Sequence, residues 1–297
     1  MNRPPSPVDR RSFLGATAAS AAAATGLLGR SSAVAAPAAA PGMRLGLVTY
    51  NWGKDWDLPT IIRNCEATGF EGVELRSGHK HGVEIDIDAR RRREVAARFK
   101  NSDVELVGLG SACEYHSPDP AVLQKNIEET KAFITLCKDL GGGGVKVRPN
   151  ALLEDVPAEK TLEQIGLALR EVAAFGADRG VEIRLEVHGR GGSALLPNIA
   201  QMMAVADHPN AVVCWNCNGS DLDGEGLEHN FNLVKEKIGT VHIHDLRNDA
   251  YPWKPFFKLL NRSGFAGWTL LEDGNVPENV VSAMRQNRPI WDRLAAL

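Results

Sequence analysis

Val181-Glu-Ile-Arg-Leu-Glu-Val187, running on into His188 and Gly189, decides how this chain is read. Gly180 stops the preceding helical pattern, and the run is short, β-rich and ends on ionisable groups. Side chains alternate across a strand, so Glu186 and His188 share one face. Seven similar runs flank it: Arg44–Tyr50, Gly72–Arg76, Val104–Leu109, Gly144–Arg148, Ala211–Asn216, Thr240–His244 and Trp268–Glu272.

Between these runs lie amphipathic stretches with helical periodicity: Leu58–Thr68, Ala89–Asn101, Pro120–Leu140, Glu159–Arg179, Leu196–Ala206, Leu227–Lys237, Pro255–Asn261 and Glu278–Leu297. Strands that alternate with helices must pair in parallel through crossovers, and eight such units close a barrel. Asp119-Pro120 supplies an N-cap with Pro at the first helical position, and Gly180 supplies a stop. Gly141–Gly144 lacks the Gly-Lys-Ser/Thr ending of a phosphate loop and reads as a helix-to-strand turn. The expected fold is α/β, a single-domain (β/α)8 TIM barrel over residues 43–297.

In such a barrel the functional groups sit at the carboxyl ends of the strands, where an inward ionisable residue needs a partner. The second strand ends Glu74-Leu-Arg76, the third runs into Glu114-Tyr-His116, and the fourth places Lys146 and Arg148 on one face. The fifth presents Glu186 and His188, the sixth Cys214-Trp-Asn216-Cys-Asn218, the seventh His242-Ile-His244-Asp245 and the eighth Glu272-Asp273. Two carboxylates, an imidazole and an amide oxygen at one mouth suit Mn2+, Mg2+, Co2+ or Zn2+. A dication would also relieve the repulsion between Glu186 and Glu272. Trp52, Trp215 and Trp253 near strand ends are candidates to stack on a sugar face. His242 reads equally as a satisfied interior histidine or as a ligand, whereas His79, His81, His208 and His229 read as surface residues.

On Gly72-Val-Glu74, Leu185-Glu186-Val-His188, Val241-His-Ile-His244-Asp245 and Leu271-Glu272, the chain from Met43 onward resembles the xylose-isomerase-like TIM-barrel superfamily, which holds sugar phosphate isomerases and epimerases. The resemblance implies metal ligands at Glu186, Asn216, His244 and Glu272, and a substrate contact at His188. Glu74, Lys146, Arg148 and Trp215 join His188 as expected substrate-binding residues. In that family the sixth-strand ligand is usually Asp, so Asn216 removes one charge and weakens the expected hold on metal.

The chemistry implied is proton transfer on a keto-sugar or sugar derivative. A divalent cation acidifies the C–H beside a hydroxy-ketone and stabilises the enediolate, while Glu186 and Glu272 exchange the proton. Isomerase and epimerase differ only in where the proton returns, and elimination from the same enediolate would make a 3-keto-glycoside lyase. A noncatalytic sugar-binding or accessory protein with a degenerate metal site is the alternative outside enzymology.

The first segment reads as an address. Arg10-Arg11, the weakly apolar Ala-rich run to Leu28 and Ala33-Val-Ala35 resemble a twin-arginine export signal over 1–35, followed by a linker over 36–42. The run is too short and too polar to span a bilayer comfortably, so no stable membrane insertion is expected after cleavage. The expected location is periplasmic or secreted, and the partner a small-molecule carbohydrate, with homo-oligomerisation left open.

Composition agrees, since 43% hydrophobic and 24% charged residues describe an ordinary globular chain. Four of the arginines fall in the leader, so the remainder is more acidic than the overall net charge of −3. That balance excludes a phosphate-tracking nucleic-acid binder, including a DNA-repair nuclease of the same superfamily. Five scattered cysteines are too few and too uneven for a disulfide scaffold, and the lone Cys214-Trp-Asn-Cys217 pair lacks thioredoxin-like flanks.

Overall fold

The structure is a computed structural model that describes residues 42–297. The expected signal segment over 1–35 and residues 36–41 of the expected linker lie outside the described residues. Eight parallel strands close a barrel in chain order. They are β1 (Arg44–Val48), β2 (Gly72–Arg76), β3 (Glu105–Glu114), β4 (Gly144–Arg148), β5 (Glu182–Glu186), β6 (Ala211–Trp215), β7 (Ile238–Ile243) and β8 (Trp268–Leu271). Eight helices surround them: α1 (Leu58–Thr68), α2 (Ala89–Lys100), α3 (Pro120–Leu140), α4 (Ala158–Ala177), α5 (Leu196–Ala206), α6 (Leu227–Val234), α7 (Trp253–Ser263) and α8 (Val280–Ala295).

Every expected element is present, with shifts at the ends. β3 continues to Glu114, while β7 stops at Ile243 and leaves His244 beyond the strand. Asp119 caps α3 by accepting from the Ala121 N–H at 2.8 Å. Gly141, at φ 82°, ends α3 in the left-handed region that favours glycine. Among the described residues no helix is long and apolar enough to cross a membrane, and the five cysteines are free and buried.

Alternation along the strands divides the barrel wall into two faces. Ile183 and Leu185 of β5 join the core shared with the helices, whereas Arg184 and Glu186 take the other parity. Inside the barrel a small apolar group, Val48, Val107, Trp268 and Leu270, fills part of the space. Arg184 fills more of it, donating to the Val107 carbonyl at 3.0 Å and pairing with Glu182 at 3.1 Å. These bulky groups fit because their neighbours are glycines. A Cβ on Gly72 would fall 2.6 Å from the Trp268 ring, and one on Gly144 would run into the Arg184 guanidinium. The floor is therefore closed by packing, and polar space opens only at the carboxyl ends of the strands.

Candidate active site at the barrel mouth

β5, β7 and β8 bring Glu186, His242 and Glu272 together, with one potential ligand atom from each within 4.8 Å of the others. His242 Nδ1 lies 2.9 Å from Glu272 Oε2 and 3.7 Å from Glu186 Oε1. Neither imidazole nitrogen has a hydrogen-bond partner despite complete burial, so the ring meets these oxygens without forming directed N–H···O bonds. Such an arrangement suits three donors grouped around a shared cation.

Below this cluster Glu74 Oε1 stands 3.6 Å from His242 Nε2, and both Glu74 oxygens are buried without a hydrogen-bond partner. Burial opposes ionisation of Glu74, but His242, Lys146 and Arg184 outweigh it and lower its pKa. At β4, Lys146 Nζ donates to Glu186 Oε2 at 2.8 Å, with both side chains about 3% exposed. Burial raises the pKa of Glu186, but Lys146 and His242 more than reverse the effect and hold it far below the carboxylate range. Burial likewise opposes charge on His242, yet Cys214, Glu272 and Glu74 raise its pKa well above the imidazole value. His188 shows the opposite balance. Burial depresses its pKa, only partly offset by Glu186.

Above the carboxylates lies a cavity of about 310 Å³, lined by Tyr50, Arg76, Lys146, Arg148, Glu186, His188, Asn216, Asn218, His244, Glu272 and Gly274. Lys146, Arg148, Glu186, His188, Asn216, His244 and Glu272, each expected from sequence, thus face one space. Another depression, of about 330 Å³ between α6 and α7, lies on the outer helical layer and does not include the carboxylate cluster.

The structure places several of the expected residues elsewhere. His244 does not join the acid cluster: beyond the end of β7 its Nε2 meets the Asn216 carbonyl at 3.2 Å, and His242 takes the place between the glutamates. Glu74 does not line the cavity, because it is fully buried beneath His242. Trp215 is also fully buried, packed against Phe231 and Phe256 outside the barrel wall. Its Nε1 donates to the Tyr251 hydroxyl at 3.2 Å, which in turn donates to Asp221 Oδ2 at 2.9 Å. Burial pushes the Asp221 carboxyl up to about 7 against the Tyr251 hydrogen bond. Trp52 and Trp253 are buried as well, and His81 is a core residue whose Nδ1 accepts from the Val83 N–H at 3.0 Å.

Tyr50 was not singled out by sequence, although it lies two residues past β1. It is 42% exposed and stacks on His79, giving the mouth its aromatic wall.

Fold and mouth together define a TIM barrel with an acidic, histidine-bearing centre at the carboxyl ends of its strands. The chain belongs to the Xylose isomerase-like TIM barrel family, which matches residues 62–290. It is 25% identical over 271 residues to an L-ribulose 3-epimerase of Mesorhizobium japonicum, covering 85% of this chain and 88% of that one. Among solved structures it resembles the IOLI protein with a bound zinc atom, at TM-score 0.72 and 17% identity, covering 86% of this chain and 98% of the other. It also resembles 3-keto-D-glucoside 4-epimerase from E. coli, at TM-score 0.71 and 14% identity, covering 84% and 99%. At these identities the structural matches establish the fold.

Proposed function

We propose that this protein is a divalent-metal-dependent sugar epimerase or isomerase that moves a proton on a keto-sugar. The observation that carries this reading is the convergence of Glu186, His242 and Glu272 beneath one polar cavity. These three residues would hold the ion, and the Asn216 side chain at the cavity edge offers an uncharged oxygen. A bound divalent cation supplies positive charge that stabilises an enediolate. The L-ribulose 3-epimerase relative supports the substrate class.

Lys146 anchors Glu186 and keeps it ionised, which suits Glu186 to holding charge more than to accepting a proton. Glu272 has a side chain 14% exposed and faces the cavity, so it is the carboxylate a substrate reaches first and the stronger candidate for proton transfer. His188 and Arg148 line the opposite wall, where they can donate to sugar hydroxyls. The twin-arginine pattern at Arg10-Arg11 would place this chemistry outside the cytoplasm, a location that cell fractionation of the full chain tests.

The deciding experiment is incubation of divalent-loaded protein with a panel of keto-sugars in D2O. Deuterium at the carbon next to the carbonyl, with the epimer or isomer appearing, supports the reading. An unsaturated product would assign elimination instead, and no exchange with any sugar would leave a binding protein.

A further inference from the structure

The cavity over the carboxylates has a neighbour. A second space of about 400 Å³ lies beside it, and His188 and Asn218 line both. The wall of this second space is built from Asn150, Gly189, Arg190, Ala194, Gly219 and Ser220, a mixture of polar groups and apolar surface. Its backbone is held in demanding conformations. Asn150 has φ 65° and Gly189 φ 118°, and the two pair across a short parallel bridge between Asn150–Ala151 and Gly189–Arg190. A Cβ on Gly189 would collide with the Asn150 carbonyl, so the bridge requires glycine there. Strained backbone of this kind persists where the surrounding structure enforces it, and it concentrates at ligand sites. At the junction, Asn218 Nδ2 donates to the Val187 carbonyl at 2.5 Å, which fixes its orientation. His188 Nδ1 is buried there without a hydrogen-bond partner.

We infer that the substrate is a glycosidically linked keto-sugar, with its reacting ring above Glu186 and Glu272 and a second sugar unit in the cavity bounded by Asn150, Arg190 and Ser220. This inference rests on the proposed sugar-directed function and names the substrate class. Asn150, Arg190 and Ser220 offer hydrogen-bonding groups for the hydroxyls of a second ring, and Ala194 offers apolar surface for its C–H face. The shared residues place His188 and Asn218 at the linkage.

Gly219 offers a selective test. Of the two cavities it lines only the second, and a Cβ there meets no atom within 4 Å, so Gly219→Trp adds bulk at that wall without a backbone clash. Deuterium exchange would be followed for the glucosyl-fructoses turanose, maltulose and isomaltulose against D-fructose. The expected result is a kcat/KM at least about tenfold higher for one linked sugar than for D-fructose, a preference that Gly219→Trp removes while sparing D-fructose. Equal kcat/KM for linked and free sugars in the parent, or equal losses on both in the variant, would overturn the inference. If no sugar exchanges deuterium, the proton-transfer reading fails, and calorimetric binding of the same sugars decides the subsite separately. Tighter binding of a linked sugar that Gly219→Trp weakens about tenfold supports it, and indifference to the variant refutes it.

Discussion

Lys146 and Glu186 form a buried ion pair at the base of the cavity, Nζ to Oε2 2.8 Å, and the other Glu186 oxygen faces His242. The ammonium therefore occupies one side of a carboxylate whose remaining side belongs to the candidate metal cluster. A fixed positive charge here lessens the attraction the cluster exerts on a divalent ion, in the same direction as Asn216.

Lys146→Met should separate these effects. Without its partner, Glu186 becomes a poorly compensated buried charge, costing about 3–5 kcal/mol of stability in metal-free protein. The variant should also bind Mn2+ or Zn2+ more tightly than the parent. Denaturant titration and calorimetry check the two halves, and unchanged ion affinity would show that the pair does not oppose the metal.

The histidine assignment is open to direct test. Metal-stripped parent should take up one divalent ion per chain and gain about 2.7 kcal/mol of stability at a hundredfold excess over Kd. His242→Gln should lose most of that gain, whereas His244→Gln should retain it. The reverse order would return the ligand role to His244.

Glu272→Gln should lower kcat by about 10²–10⁴-fold while leaving the fold intact, since general acid–base groups contribute on that scale. Turnover in D2O is the measurement, with circular dichroism as the control. Near-parental turnover would remove Glu272 from the proton path.

Asp221 should leave a signature in the pH dependence of stability. Its pKa is 3.8 in the unfolded reference and about 7 when folded, so the folded state holds a proton that the unfolded chain releases between those values. The stabilising contribution is complete below pH 3.8 and falls as pH rises through 7, by about 4 kcal/mol. Asp221→Asn keeps an acceptor for the Tyr251 hydroxyl and removes this decline. Urea unfolding at pH 5 and pH 8 should show the variant gaining on the parent at the higher pH.

How legible the molecule was follows from which physical signal each residue carried. Period-two runs and capped amphipathic stretches specify the barrel because each strand has an apolar face against the helices, as Ile183 and Leu185 illustrate. The same parity would have excluded Trp215, since Cys214 pairs in register with Glu186 and its neighbour must face the other way. Parity could not choose between His242 and His244, which share it. That choice depended on where β7 ends, a boundary set by tertiary packing. Glu74 lay on the correct face but one level too deep, and depth in a tilted barrel depends on stagger between strands, which a single strand's sequence does not contain.

The seating of Trp268 against Gly72 and of Arg184 against Gly144 sets terms for redesign. Each partner is shaped to the other's extreme size, so enlarging the glycine alone produces a collision and trimming the large residue alone leaves a void. Productive change at that end of the molecule must come as coordinated double exchanges. The rim loops carry no such coupling at Gly219, where single exchanges can be sampled freely, and a library aimed at new substrates would start there.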